Sequence, residues 1–345
     1  MRAVYFPEIN KVVYRTDYPE PVITEDDQVK IRLKATGICG SDISGLKGGH
    51  PTRKPPIVTG HETAGVIVET GPGVKEFRVG DRVAVEPQYS CMKCPLCLSG
   101  HYNTCPEKRV LGTVRWEPGA FGEFIVAPER TLIRLPDNVS FEQGALLEPL
   151  AVGIHAADIS EVREGSSVVV VGTGAIGIAC MWGARAKGAS KVIVIGHSEM
   201  PLEVCRQAGA DVTVNSAEED AAERVLQETG GAGADVVFMA VGTASAIDDA
   251  VRMCARQGQI MEVANFGKTG PSFENTTPFR WKELSMKGSY MYVKKDFETA
   301  LAGIADGRFP TEPLITRRTP VEDSEEVFDI CLHKKEKYFR MMLQF

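Results

Sequence analysis

Val168-Val169-Val170-Val171-Gly172-Thr173-Gly174-Ala175-Ile176-Gly177 sets the hexad G-x-G-x-x-G directly behind an apolar run and at the head of a helical stretch. Four consecutive valines suit a strand buried on both faces. Gly172 permits a tight turn, Gly174 lets the backbone approach a pyrophosphate at a helix N-terminus, and Gly177 allows helix and strand to pack closely. The hexad alone is weak, because many glycine turns hold no ligand. Its surroundings give it weight. The chain reads onward as helix over Ile176–Lys187, strand over Val192–Ile195, helix around Pro201–Gln207 and strand over Asp211–Val214. Helix Ala221–Glu228, strand Asp235–Met239, helix Ala246–Cys254 and strand Gln259–Val263 continue the alternation. This is the pattern of an α/β, doubly wound parallel sheet of the Rossmann type. Gly172, Gly174, Ala175, Ile176 and Gly177 form its expected dinucleotide turn.

The end of the second strand bears on which dinucleotide binds. A carboxylate there would hold the ribose hydroxyls of NAD. This chain has Gly196-His197-Ser198-Glu199 instead. Gly196 leaves room for the 2′-phosphate of NADP, and His197 and Ser198 could donate to it. Glu199 would repel that phosphate, and no Arg or Lys follows directly. Both NAD and NADP stay open on these residues.

Upstream the texture differs. Val29–Ala35, Thr63–Glu69, Val83–Val85, Phe121–Ala127 and Thr131–Leu135 are short strand-like runs punctuated by Gly and Pro. They suggest a largely antiparallel body. Ser140–Ile159 is apolar and helix-like, with Glu148 as an unexpected charge inside it. Residues 283–345 lose the strand–helix alternation and are expected to rejoin the first body. The 345 residues are long for one hydrophobic core and comfortable for two domains.

A net charge of −7, with both signs mixed along the chain and no basic block, makes nucleic acid an unexpected partner. No apolar run reaches the roughly 18 residues of a spanning helix, so no membrane partner is expected. Met1–Tyr14 lacks a basic-then-apolar leader pattern, and a cytoplasmic protein is expected.

Cysteine placement carries the metal chemistry. Four of the nine cysteines crowd into Cys91-x-x-Cys94-x-x-Cys97-x₇-Cys105. Such thiolates suit a closed tetrahedral zinc site that staples a loop poor in apolar residues. Repeated C-x-x-C followed by Cys105-Pro106 also keeps an iron–sulfur cluster in view. Cys39 and His61 are a second, less local pair of soft ligands. They need a third ligand and a position left for a substrate oxygen. Glu62, directly after His61, and Glu148 compete for that role, since a buried carboxylate requires a metal or a partner. On an extended backbone Ser41 would share a face with Cys39. Its hydroxyl could then exchange a proton with a substrate oxygen, and His50 and His155 are candidate ends of such a relay.

These residues together resemble the zinc-dependent medium-chain dehydrogenase/reductase family, and within it the sorbitol (polyol) dehydrogenase branch. The matching strings are Gly37 to Asp42, Gly60-His61-Glu62, the four-cysteine lobe, Gly144 to Ala156 and Gly172 to Gly177. The resemblance implies a mostly β, GroES-like catalytic domain over 1–150 with a structural zinc lobe at 91–105. It implies a dinucleotide-binding Rossmann domain over 151–282 and a C-terminal segment, 283–345, returning to the catalytic domain. It implies a catalytic zinc on Cys39, His61 and Glu62 or Glu148, and a structural zinc on Cys91, Cys94, Cys97 and Cys105. It makes Ser41 the proton-relay hydroxyl and Tyr292 a substrate contact, in a homotetramer or homodimer. The chain departs from the pattern at Ser44, where many relatives have a relay histidine, at Gly196, and at Met291, where sorbitol dehydrogenases have an arginine. The implied reaction is reversible hydride transfer between NAD(P) and a secondary alcohol of a polyol, cyclitol or sugar derivative. Oxidation of a 3-hydroxy amino acid such as threonine is the alternative chemistry, and a non-catalytic, crystallin-like or scaffold role the alternative of another class.

Overall fold

Six parallel strands form one sheet in the order Val212–Asn215, Lys191–Gly196, Ser167–Val171, Ala234–Met239, Cys254–Glu262, Ser285–Gly288. The chain thus starts in the middle, runs to one edge, then crosses over and fills the other side. That 3-2-1-4-5-6 order is the Rossmann arrangement. This computed structural model describes residues 1–114, 117–242, 246–264, 275–336 and 338–345. In the central strand Val168, Val169 and Val170 are fully buried, with Val169 level with Ile193 on one side and Val237 on the other. Helices Ala175–Ala186, Glu199–Gln207, Ala221–Glu228 and Ala246–Met253 follow successive strands. The sheet continues past residue 282, because Ser285–Gly288 pairs with Cys254–Glu262. Its Ser-Met-Lys-Gly sequence has a single apolar residue, Met286, which packs partly buried against the core of this sheet.

The chain divides into two units, Met1–Glu148 with Val293–Phe345, and Pro149–Tyr292. The first is built on a seven-stranded sheet. Its path is Arg317–Pro320, Met341–Gln344, Gln28–Gly37, Glu62–Thr70, Arg82–Val85, Leu132–Arg134, with Phe124–Pro128 also paired to Gln28–Gly37. All its pairings are antiparallel except that of Arg317–Pro320 with Met341–Gln344. The long strand Gln28–Gly37 alternates inward Val29, Ile31 and Leu33, all fully buried, with outward Lys30 and Arg32. Met341–Gln344 lies against the end of that strand, with Met342 opposite Gly37.

Three phenylalanines bind distant parts of this unit. Phe6, Phe121 and Phe328 are at most 1% exposed, with ring centroids 5.1 to 6.2 Å apart. Two of the three contacts are edge-on, the geometry favoured by ring quadrupoles. Among the described residues no helix is long and apolar enough to cross a membrane. Phe328→Ala is expected to lower the unfolding free energy by about 3–5 kcal/mol, the usual loss for a buried aromatic. Urea unfolding of the purified protein measures this, and a loss below about 1 kcal/mol would contradict the packing described.

Candidate active site and metal centres

Strand pairing brings the separated ligands together. Gly37 ends one strand, Glu62 begins its antiparallel neighbour, and the two residues lie opposite each other. Cys39 is therefore just beyond one strand and His61 just before the other. Cys39, His61 and Glu62 each offer one ligand atom, and these atoms lie within 4.8 Å of one another.

Glu62 is fully buried. Its Oε1 accepts from Arg340 Nη1 at 2.8 Å, and the same nitrogen donates to the Ile38 carbonyl at 3.0 Å. Its Oε2 has no hydrogen-bond partner. Burial raises the carboxyl above the ordinary range, against the pull of Arg340. A Cβ at Gly37 would stand 2.2 Å from Oε2, so a side chain there would displace this carboxylate. A buried oxygen without a partner, beside a thiol and an imidazole, is a donor set that fits zinc.

His61 is 5% exposed. Its Nδ1 lies 3.6 Å from Asp42 Oδ1 and 3.2 Å from Arg53 Nη2. Burial alone would lower its basicity, but the Asp42 charge lifts the imidazole well above its usual range. With Nδ1 turned to Arg53 and Asp42, Nε2 is the nitrogen left for a metal.

The extended backbone expected between Cys39 and Ser41 is absent. Cys39 caps the helix Gly40–Leu46, and Asp42 Oδ2 accepts from the Cys39 amide at 3.1 Å, which closes the first turn. Ser41 is half-buried within that turn. Glu148 is not a helix-start acid. It is 7% exposed and lies inside the helix Phe141–Asp158. It stands outside the compact ligand group, near enough for its charge to oppose ionisation of Glu62. His50 is turned to Arg53, with Nε2 3.1 Å from Nη1, and His155 is buried. Tyr292 is fully buried. Three supporting residues, Asp42, Arg53 and Arg340, were not singled out by sequence. Asp42 ends a string already quoted, whereas nothing local marks the other two.

The four remaining ligand candidates are local. Cys94 caps the short helix Pro95–Leu98, which carries Cys97, and a single 3-10 turn over Tyr102–Thr104 leads to Cys105. Sγ separations are 3.5 Å for Cys91–Cys105, 3.9 Å for Cys91–Cys97 and 4.0 Å for Cys94–Cys105. Disulfide sulfurs would be about 2.0 Å apart. Four thiolates about 2.3 Å from a tetrahedral zinc would be about 3.8 Å apart, so these sulfurs fit such an ion.

In the dinucleotide turn Gly174 caps the helix Ala175–Ala186 with extended backbone, and nothing would meet a Cβ there within 4 Å. The amides of Ala175 and Ile176 are in the first turn, where helix N–H groups have no partner within the helix. A Cβ at Gly177 would stand 2.1 Å from the Gly172 carbonyl, so this glycine is a packing requirement. The strand Lys191–Gly196 ends at Gly196, whose carbonyl accepts from the Ser216 amide and hydroxyl at 2.7 and 3.1 Å. His197 is exposed, Ser198 is half-buried, and Glu199 is paired with Arg206 along its own helix.

Arg340→Met is expected to cost about 3–5 kcal/mol of stability, because it leaves a buried carboxylate without its cation. Adding Glu62→Gln should recover much of the loss. Denaturant unfolding of both variants checks this, and equal destabilisation of single and double variants would show the pair to be uncoupled.

The chain matches two family models, the alcohol dehydrogenase GroES-like domain over residues 25–137 and the zinc-binding dehydrogenase over residues 175–306. It is 36% identical to sorbitol dehydrogenase 1 of Saccharomyces cerevisiae, across 90% of this chain and 89% of that protein. The structure is similar to galactitol-1-phosphate dehydrogenase from Escherichia coli, with a TM-score of 0.92, 27% identity and full coverage of both chains, 100% each. It is also similar to a putative zinc-binding dehydrogenase from Sinorhizobium meliloti bound to NADP, with a TM-score of 0.91, 26% identity and coverage of 100% and 99%. The parallel sheet, the β-rich unit and these matches together make the chain a member of the zinc-type medium-chain dehydrogenases, NAD(P)-linked oxidoreductases, related to the sorbitol dehydrogenases.

Proposed function

We propose that this protein reversibly oxidises a secondary alcohol of a polyol, cyclitol or sugar derivative, with NAD or NADP as the hydride carrier. The observation that carries the reading is the unpartnered, fully buried Glu62 Oε2 beside Cys39 and His61. Cys39, His61 and Glu62 would hold a catalytic zinc, with Glu148 as a neighbouring charge. Cys91, Cys94, Cys97 and Cys105 would hold a structural one. The zinc would supply Lewis acidity toward an alcohol oxygen, and the nicotinamide would supply the hydride acceptor.

The chain's own residues do the rest. Arg340 opposes the protonation that burial favours at Glu62 and holds the side chain in place. Ser41 accepts the alcohol proton. Gly174, Ala175 and Ile176 present backbone N–H groups to the pyrophosphate. Gly196 cannot carry the carboxylate that selects NAD, since a Cβ there would come within 2.5 Å of Thr173 Cγ2. His197 and Ser198 are left beside the adenine ribose. A hard carboxylate in the ligand set and a relative that is a sorbitol dehydrogenase favour a polyol over a simple primary alcohol. The intact ligand set argues against a scaffold role. The absence of a disulfide among the nine cysteines suits the cytoplasm. A homodimer or homotetramer follows from the family resemblance alone.

Metal analysis of the purified protein should find two zinc ions per chain. Cys39→Ser should lose one of them together with turnover. Ser41→Ala should keep both and lower kcat by roughly 10²- to 10⁴-fold, the usual worth of a positioned proton acceptor. A steady-state panel of polyols, cyclitols, sugars and threonine, run with both NAD and NADP, identifies the substrate class. Turnover of threonine alone would overturn the polyol reading.

A further inference from the structure

Glu86 is a buried carboxylate that the mechanism above does not use. It is 2% exposed and directly follows the strand Arg82–Val85. Its Oε1 accepts from Gln88 Nε2 at 3.2 Å, and its Oε2 accepts from the Tyr102 hydroxyl at 3.3 Å. Tyr102 opens the turn that leads to Cys105. Its phenolic oxygen also accepts from the backbone amide of Lys294, 192 positions along the chain. Glu86, the four-cysteine lobe and Lys294 all belong to the first unit.

Lys294 is the first residue of the helix Lys294–Ala305. The leading N–H groups of a helix have no acceptor within its backbone ladder. Here they are met from two sides. Asp296 Oδ2, from the helix itself, accepts from the Val293 amide at 2.7 Å. Tyr102, from the lobe, accepts from the amide that follows. A phenol does both of its tasks at once, because its oxygen accepts while its O–H donates. The Glu86 carboxylate oxygen takes the O–H, which leaves the lone pairs to Lys294.

The lobe that carries Tyr102 adds little core of its own. Met92, Leu96 and Leu98 are 45%, 42% and 75% exposed. The Tyr102 carbonyl accepts from the Ser90 hydroxyl at 2.8 Å and from the Cys105 amide at 3.1 Å. Beyond these bonds, the stretch is fixed at its two ends by Cys97 and Cys105, both candidate ligands of one ion.

We propose that the four-cysteine lobe is a helix cap as well as a metal site: with zinc bound by Cys91, Cys94, Cys97 and Cys105, Tyr102 is held so that its hydroxyl, oriented by Glu86, closes the N-terminus of the helix Lys294–Ala305. That helix opens the segment that supplies Arg340 to Glu62. The inference rests on the reading that the lobe binds zinc.

Hydrogen-exchange mass spectrometry of the full chain tests this, with metal analysis of every sample. Tyr102→Phe keeps the ring and removes the acceptor. It should speed exchange at the start of the helix Lys294–Ala305 by roughly 3- to 10-fold, the worth of one hydrogen bond, while both zinc ions stay bound and the parallel sheet exchanges as before. Loss of the lobe's zinc should have the same effect. In a Cys39→Ser chain the lobe holds the one remaining zinc, so a chelator removes that ion alone. Chelation should speed exchange at the same amides there, and should add little in Cys39→Ser/Tyr102→Phe, because both changes break one contact. Unchanged exchange in a folded, zinc-loaded Tyr102→Phe chain would overturn the proposal, as would additive effects of the two changes. If Tyr102→Phe fails to fold, chelation of Cys39→Ser decides, and a helix start that stays protected without zinc overturns it. A wild type with no zinc in the lobe would instead remove the reading of the lobe, and this inference with it.

Discussion

The ion pair between Glu62 and Arg340 is the constraint on which the first unit, Met1–Glu148 with Val293–Phe345, depends. Both residues are buried, and they are 278 positions apart in the chain. Removing two charges from water is expensive, and the expense is offset only by close geometry and further hydrogen bonds. Here one nitrogen of Arg340 is shared between the carboxylate and the Ile38 carbonyl, while its Nε has no hydrogen-bond partner. One oxygen of the carboxylate is also left over, and it lies beside a thiol and an imidazole. That leftover oxygen makes structural sense if a cation completes the set.

Much of the architecture was legible because it is local. Val168–Gly177 announces strand, turn and helix within ten residues. The parallel sheet is written as apolar runs separated by helical ones. The four-cysteine lobe is equally compact, since all four cysteines lie between residues 91 and 105. What could not be read is what depends on distant pairing. Nothing around Arg340 marks it as the partner of Glu62. Nothing around Arg53 marks it as buried either. The backbone at Ser41, though not the residue itself, was misread for the opposite reason. The capping contact of Asp42 with the Cys39 amide turned the expected extended segment into a helix. The strand Ser285–Gly288 escaped notice because an edge strand needs no apolar run.

The two candidate zinc sites divide along the same line. The four-cysteine lobe draws its ligand candidates from one short stretch of chain, residues 91–105. The three-ligand site takes its residues from the ends of two strands. It is kept in register by Gly37 opposite Glu62, and its supports come from three further stretches of chain. A closed local site tolerates change elsewhere in the molecule. A site assembled from distant strand ends inherits every strain in the sheet that carries it.

The placement of Arg340 also has a consequence in time. A ribosome delivers the chain from its N-terminus, and domains tend to fold as they appear. The strands of the parallel sheet all come from within Pro149–Tyr292, so that sheet needs nothing made later. Glu62, made far earlier, must wait for a partner that emerges 278 residues afterwards. During that interval its neighbours Cys39 and His61 belong to an unfinished site, and the unit that starts first is the one that finishes last.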